Sequence, residues 1–115
     1  MARLNAQSGD NKMLDTLHYE DFLPHIGSKF KAPITENLTV EFELTSVENK
    51  PPSPQQEQFI LNFRLPKSAP IRHVQFMFTL QHEALGEGVM FLVPIEQTAD
   101  FVIYEAIFNR PIEAQ

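Results

Sequence analysis

His82-Glu83-Ala84-Leu85-Gly86 begins like a zinc-binding helix, in which two histidines four residues apart present both imidazoles on one face. Gly86 stands where the second histidine belongs, so a ligand is missing and the helix itself is disfavoured. The other histidines do not repair the motif. If 73–82 is one unbroken strand, His73 and His82 face opposite sides roughly 30 Å apart, at ~3.3 Å per residue. His18 and His25 flank a short helical stretch, with Pro24 between them. The chain has no Cys, which excludes disulfides, thiolate metal sites and Cys nucleophiles. No metal and no cofactor are expected.

Nucleophile and phosphate signals are equally thin. Ser8, Ser28, Ser46, Ser53 and Ser68 fall in tail, turn or loop contexts, and none lies in a Gly-x-Ser-x-Gly elbow. Gly86-Glu87-Gly88 supplies two glycines of a dinucleotide fingerprint, but Phe91 takes the third place and no helix follows. Glu41 and Glu43 form a carboxylate pair, yet alternate positions of an amphipathic strand make them a wetted outer face. An acid/base pair assembled from separate strands is the remaining enzymatic route, and no motif supports one. The expectation is a non-enzyme.

The elements that would position such residues are short and mostly β. The 115 residues make one domain, and nine basic against fifteen acidic residues leave a net charge of −6. The basic residues are scattered, so a phosphate backbone finds no stripe to bind and no nucleic-acid partner is expected. No apolar run approaches the roughly twenty residues of a membrane helix. The start, MARLNAQSGDNK, lacks the apolar core of a signal peptide, which makes a cytoplasmic protein without membrane contact the expectation.

Residues 1–12 read as a flexible polar tail, 13–110 as a single β-rich domain and 111–115 as a C-terminal tail. LHYEDFLPHIG (17–27) carries a helix of one or two turns, with His18 or Thr16 at its cap, Glu20 and Asp21 at its N-terminus and Gly27 at its end. Phe22, Leu23 and Ile26 give it a small apolar face.

From there the period is two. NLTVEFELTSV alternates Leu38, Val40, Phe42 and Leu44 with polar residues, as a half-buried strand does. Asn37-Leu38-Thr39, formally a glycosylation acceptor, is read as the start of that strand. NKPPSPQQE (49–57) is a loop, 58–65 a strand, PKSAP (66–70) a turn, 73–82 a strand, and 88–95 and 101–108 two more. EALGEG joins two alternating runs as a hairpin connection, with Gly86 or Gly88 at positive φ. The predicted fold is all-β, a small antiparallel barrel or sandwich of five to seven strands with one short N-terminal helix. Its core is predicted as Leu38, Val40, Phe42, Leu44, Phe59, Leu61, Phe63, Val74, Phe76, Phe78, Val89, Phe91, Val93, Tyr104 and Phe108.

Apolar excess is the most informative feature. In VMFLVPI (89–95) both alternate sets are hydrophobic, and FVIYEAIF (101–108) repeats the pattern. A sheet with one wet face alternates cleanly, so a second face has to be covered. Met77, Met90, Leu92 and Ile103 fall opposite the predicted core. They are expected beneath the N-terminal helix or at an interface with another chain.

EDFLPHIGSKF, FILNFRLP, LQHEALGEGVMFLVPIE and YEAIFN, taken in order with MLDTL at 13–17, resemble a small bacterial domain family of unknown function. The likeness covers most of 13–109. It departs in PKSAPIRHVQFMF (66–78), which is more hydrophobic here, and in the extra twelve N-terminal residues. The resemblance implies no activity, cofactor or catalytic residue. It implies an assembly role, with relatives among phage-tail-like fibre and collar components, and hence a place in an extracellular or phage-tail-like structure. The expected function is a structural or interaction module in a protein assembly, as a homo-oligomer or with a protein partner. A small-molecule or carbohydrate-binding β-domain is the alternative. Tyr, Asp and Asn lining a pocket at the strand ends would favour the binder, and a flat apolar sheet face the module.

Overall fold

Six antiparallel strands take up the alternating runs and close on themselves as a barrel. The structure is a computed structural model that describes Leu14 and residues 17–50 and 56–111. The expected tail over 1–12, part of the Pro-rich loop and the last four residues lie outside the described residues. The strands are β1 (Lys29–Thr35), β2 (Leu38–Asn49), β3 (Gln56–Pro66), β4 (Phe76–His82), β5 (Gly86–Gln97) and β6 (Phe101–Pro111). Around the barrel they run β1-β2-β3-β6-β5-β4. Between a barrel and a sandwich, the structure is a barrel.

The junctions are unequal. β3 and β6 pair without interruption from Gln56↔Pro111 to Pro66↔Phe101. Closure between β1 and β4 rests on the single pair Lys31↔Gln81. Register shifts between Pro33 and Thr35, Leu44 and Ser46, and Pro94 and Glu96 bend the walls. Extra residues of this kind increase local twist and help a sheet curl into a cylinder. Two of the three sites carry a proline, which cannot donate to the ladder and is tolerated at such irregularities.

The interior is filled by side chains, aromatic ones above all. Phe30, Phe42, Phe59, Phe63 and Tyr104 are fully buried, with Leu44, Leu61 and Leu80 beside them. Val40, Phe42, Leu44, Phe59, Leu61, Phe63, Phe78 and Tyr104 lie in the core as expected, while Leu38 and Phe108 pack half-buried against it. The short helix α1 (Tyr19–Phe22) runs into a 3-10 turn at Leu23–His25, and Gly27, at φ 96°, ends it. The helix plugs one end of the barrel and does not cover an outer face. Phe22 is fully buried against Phe30, Phe59 and Phe108, while Leu23 and Ile26 are exposed.

β5 is turned over relative to the sequence reading. Met90 and Leu92 point into the barrel and are buried, whereas Val89 and Phe91 face out and Val93 is only half-buried. The reason is register. A three-residue turn at 83–85 sets His82 opposite Gly86, and this pairs Phe78 with Met90 and Phe76 with Leu92. Paired residues share a side, so burying Phe78 buries Met90. Val74 and Phe76, expected in the core, are exposed as well, because β4 begins only at Phe76, at the end of the barrel. The unbroken strand expected over 73–82 is therefore shorter, and the opposition of His73 and His82 along one strand does not arise.

Gly86, not Gly88, carries the positive φ, at 95°. A β-branched side chain is strained in that region, and Gly86→Val is expected to cost ~1–2 kcal/mol in urea unfolding, with the fold retained. Leu92→Asp places a carboxylate among buried apolar groups with nothing to pair with. Loss of the cooperative thermal transition is expected, measured by circular dichroism; a folded Leu92→Asp protein would mean that β5 is assigned to the wrong face.

Candidate functional site

Among the described residues, three of the polar clusters and one apolar stretch of wall bear on function. The first lies where β4 ends. His82 is 8% exposed, with its ring 4.5 Å from Phe30 and 4.8 Å, edge-on, from His25. Nδ1 accepts hydrogen bonds from the backbone N–H groups of Ala84 (3.0 Å) and Leu85 (3.2 Å). With Nδ1 accepting twice, the neutral ring carries its proton on Nε2 and donates it to Ser28 Oγ at 2.9 Å. Ser28 Oγ in turn donates to the His25 carbonyl at 2.6 Å.

A serine 2.9 Å from an imidazole resembles a nucleophile with its base, but the proton inventory runs the wrong way. The base nitrogen facing the hydroxyl is already protonated, and the hydroxyl hydrogen is committed to a carbonyl. The cluster is a structural brace. Burial first, then the neighbouring His25, hold the His82 pKa below the usual value, against an opposing pull from Glu83.

The second place is at the other end of β4. Tyr104, buried on β6, donates its hydroxyl to His73 Nδ1 at 2.8 Å, since His73 Nε2 lies 3.3 Å from the Lys67 carbonyl and donates there. This pins the 67–75 connection across the barrel mouth, where Ala69 and Ile71 pack on the core. Burial pushes the Tyr104 pKa up to about 12. Sequence reasoning missed this pair, because nothing in the spacing of positions 73 and 104 marks them as neighbours.

The third place is a groove of about 800 Å³ on the outer wall of β1, β2 and β3, edged by the 66–70 turn and Phe101. Lys29 pairs in register with Glu43, and Lys31 with Glu41. Arg64 binds Glu43 at 3.1 Å and stacks on Phe101, 4.1 Å from the ring centre. Glu41 and Glu43 thus form part of a wetted charge ladder. The Phe101 ring face, the one aromatic platform in the groove, is already covered by Arg64.

The apolar stretch lies on the opposite side. Met77 and Phe91 form a cross-strand pair on the outside of β4 and β5 and are 55% and 48% exposed; Val89, beside Thr79 in the next pair, is exposed too. Of the four residues expected at an interface, Met77 lies on this surface. Ile103 is half-buried on the outer wall of β6, opposite Arg64. Met90 and Leu92 line the core and are corrected: side chains inside the barrel meet no other chain. Phe91 and Val89 take their place. The signal that finds them is the hairpin register, counted out from Gly86.

Among the described residues no three His, Cys, Asp or Glu side chains stand close enough to share an ion, and no helix is long and apolar enough to cross a membrane. Fold and surfaces together define a small, plugged β-barrel domain with a filled interior. The chain belongs to DUF6916, a domain of unknown function, whose family profile matches residues 17–108. Comparison with curated proteins gives no match, and comparison with solved structures gives none either.

The Tyr104 hydroxyl yields a pH signature. Its folded pKa is raised above the unfolded value near 10, so its contribution is complete below about pH 10 and is lost as pH rises toward 12. Chemical denaturation should show stability falling over that window. Tyr104→Phe should flatten the fall, and an equal slope in both proteins would show that the phenol is not responsible.

Proposed function

We propose that this domain is a non-enzymatic module that self-associates through the outer face of β4 and β5 and so takes its place in a protein assembly. The observation that carries the reading is the exposed Met77–Phe91 pair with Val89 beside it. Half-exposed side chains of this size leave on the order of 300 Å² of apolar surface, within the range of the largest patch on a typical monomer, which is often functional.

A second copy is the occupant because of charge. In a chain of net charge −6, the β1–β2 wall carries Glu41 and Glu43 outward, while the rows Met77–Phe91 and Thr79–Val89 carry no charge at all. Two copies meeting on these rows bring no carboxylates together, and like charges are kept at the rim, where Glu87 and Glu105 lie. A phage-tail-like fibre or collar is the kind of assembly such a module would suit. The binder reading finds less support, since the groove is lined by paired Lys, Glu and Arg, not by Tyr, Asp and Asn.

Light scattering of the purified full chain should give a mass above the 13.2 kDa of one chain. Phe91→Asp should return it to one chain's mass with an unchanged circular dichroism spectrum. A wild type that stays monomeric at every concentration reached would sink self-association, and a folded Phe91→Asp oligomer would place the contact elsewhere.

A further inference from the structure

The brace around His82 does more than fill the barrel end. We propose that it is an acid-operated latch on the β4–β5 turn: protonation of His82 opens residues 83–85 and draws Leu85 out of the core while the barrel stays closed. The inference is independent of the self-association reading.

The geometry leaves the ring no other way to ionise. A proton can be added only at Nδ1, and Nδ1 is where the N–H groups of Ala84 and Leu85 both point. The cation would set three N–H groups against one another, so both turn bonds have to break. Among the described residues, the only groups bonded to that nitrogen are these two donors, and no acceptor stands in for them. β1 presents the Phe30 ring and the Ser28 hydroxyl, whose proton is held by the His25 carbonyl. The 3-10 turn presents the His25 ring, edge-on, which opposes a second positive charge when it is itself charged. The 83–85 turn contributes Glu83, the one group that favours the cation, and it is exposed to solvent. Lys29 on β1 and Glu87 on β5, the nearest other charges along the chain, are exposed on the outside of the barrel.

What opens is also defined. The corner at 27–28 is tied to β2 independently, with Gly27 N–H donating to the Leu44 carbonyl at 2.7 Å and Leu44 N–H to the Ser28 carbonyl at 3.0 Å. The plug is anchored by Phe22. Among the described residues, no backbone tie of that kind to β2 is found for the turn, which is held by its two bonds to His82 and by the burial of Leu85. Leu85, 3% exposed, donates its N–H to His82, and its release exposes a buried side chain of the core. The direction follows from the same facts: burial and His25 keep His82 neutral, so the latch is shut above the ordinary histidine range and opens below it.

Two measurements on the full chain test this. At about pH 8, imidazole nitrogen NMR should show His82 as the Nε2–H tautomer, with an unprotonated Nδ1 that accepts hydrogen bonds. Between about pH 8 and about pH 5, amide exchange corrected for intrinsic rates should show Ala84 and Leu85 losing protection, while Phe59 and Leu61 on β3 keep theirs. In His82→Gln, which cannot titrate, the protection of residues 84 and 85 should be independent of pH over that range. A His82 that is protonated with both amides still protected overturns the latch. So does a loss of protection that spreads equally to β3, or one that persists in His82→Gln. If that variant fails to fold, the tautomer and the selectivity of the loss in the wild type still decide the matter.

Discussion

A continuous chain of aromatic rings runs through the barrel, and the other elements are arranged around it. Phe22 of the plug meets Phe30, Phe59 and Phe108; Phe30 meets Phe63; Phe63 meets Phe42; and Phe42 meets both Phe78 and Tyr104, at centroid distances of 5.1 to 6.5 Å. Edge-to-face and tilted contacts dominate, which suits the charge distribution of the rings. These contacts join helix, β1, β2, β3, β4 and β6 across the interior. In a chain with no disulfide to staple a small core, the seven phenylalanines joined in this way, with Tyr104, supply the cohesion that the ladders alone do not.

The polar groups at each end are intelligible as terminations of that chain. At one end Phe30 abuts His82, which hands its hydrogen bonds to a turn and to Ser28. At the other, Tyr104 ends in a hydroxyl held by His73. The His82 and Tyr104 side chains each find partners there, and those partners belong to segments outside the strands. The core thereby positions its own loops. A histidine in this setting is a fastener, its ring nitrogens engaged by backbone and side-chain partners.

Much of this was legible in the sequence where alternation was clean. Val40, Phe42 and Leu44 alternate with Thr39, Glu41 and Glu43, and the inward and outward faces of β2 follow directly. The helix with its glycine end was equally readable, although its role as a plug, set by the long-range contact of Phe22 with Phe59, was not. The failure came at β5, where Val89, Met90, Phe91 and Leu92 are all apolar and periodicity cannot choose a face. The choice lies in the hairpin: Gly86 fixes the register, and Phe78 then decides for Met90. Hence half of the expected interface was interior. The His73–Tyr104 and Ser28–His82 contacts depend on strand order around the barrel, which local pattern does not encode.

The single rung between β1 and β4 gives the cylinder a fault line. Other junctions are zipped over several residues, so unrolling begins at Lys31↔Gln81 and bares the lips on either side. One lip is Phe76-Met77-Phe78-Thr79-Leu80, a run with no charge, proline or glycine, of the composition that stacks into amyloid when its backbone is free. The facing lip carries Pro33, which denies an incoming strand a hydrogen bond, and Lys31, whose charge resists stacking. The two edges are thus guarded asymmetrically, and the β4 edge is kept from stacking on other chains by one pair of residues staying together.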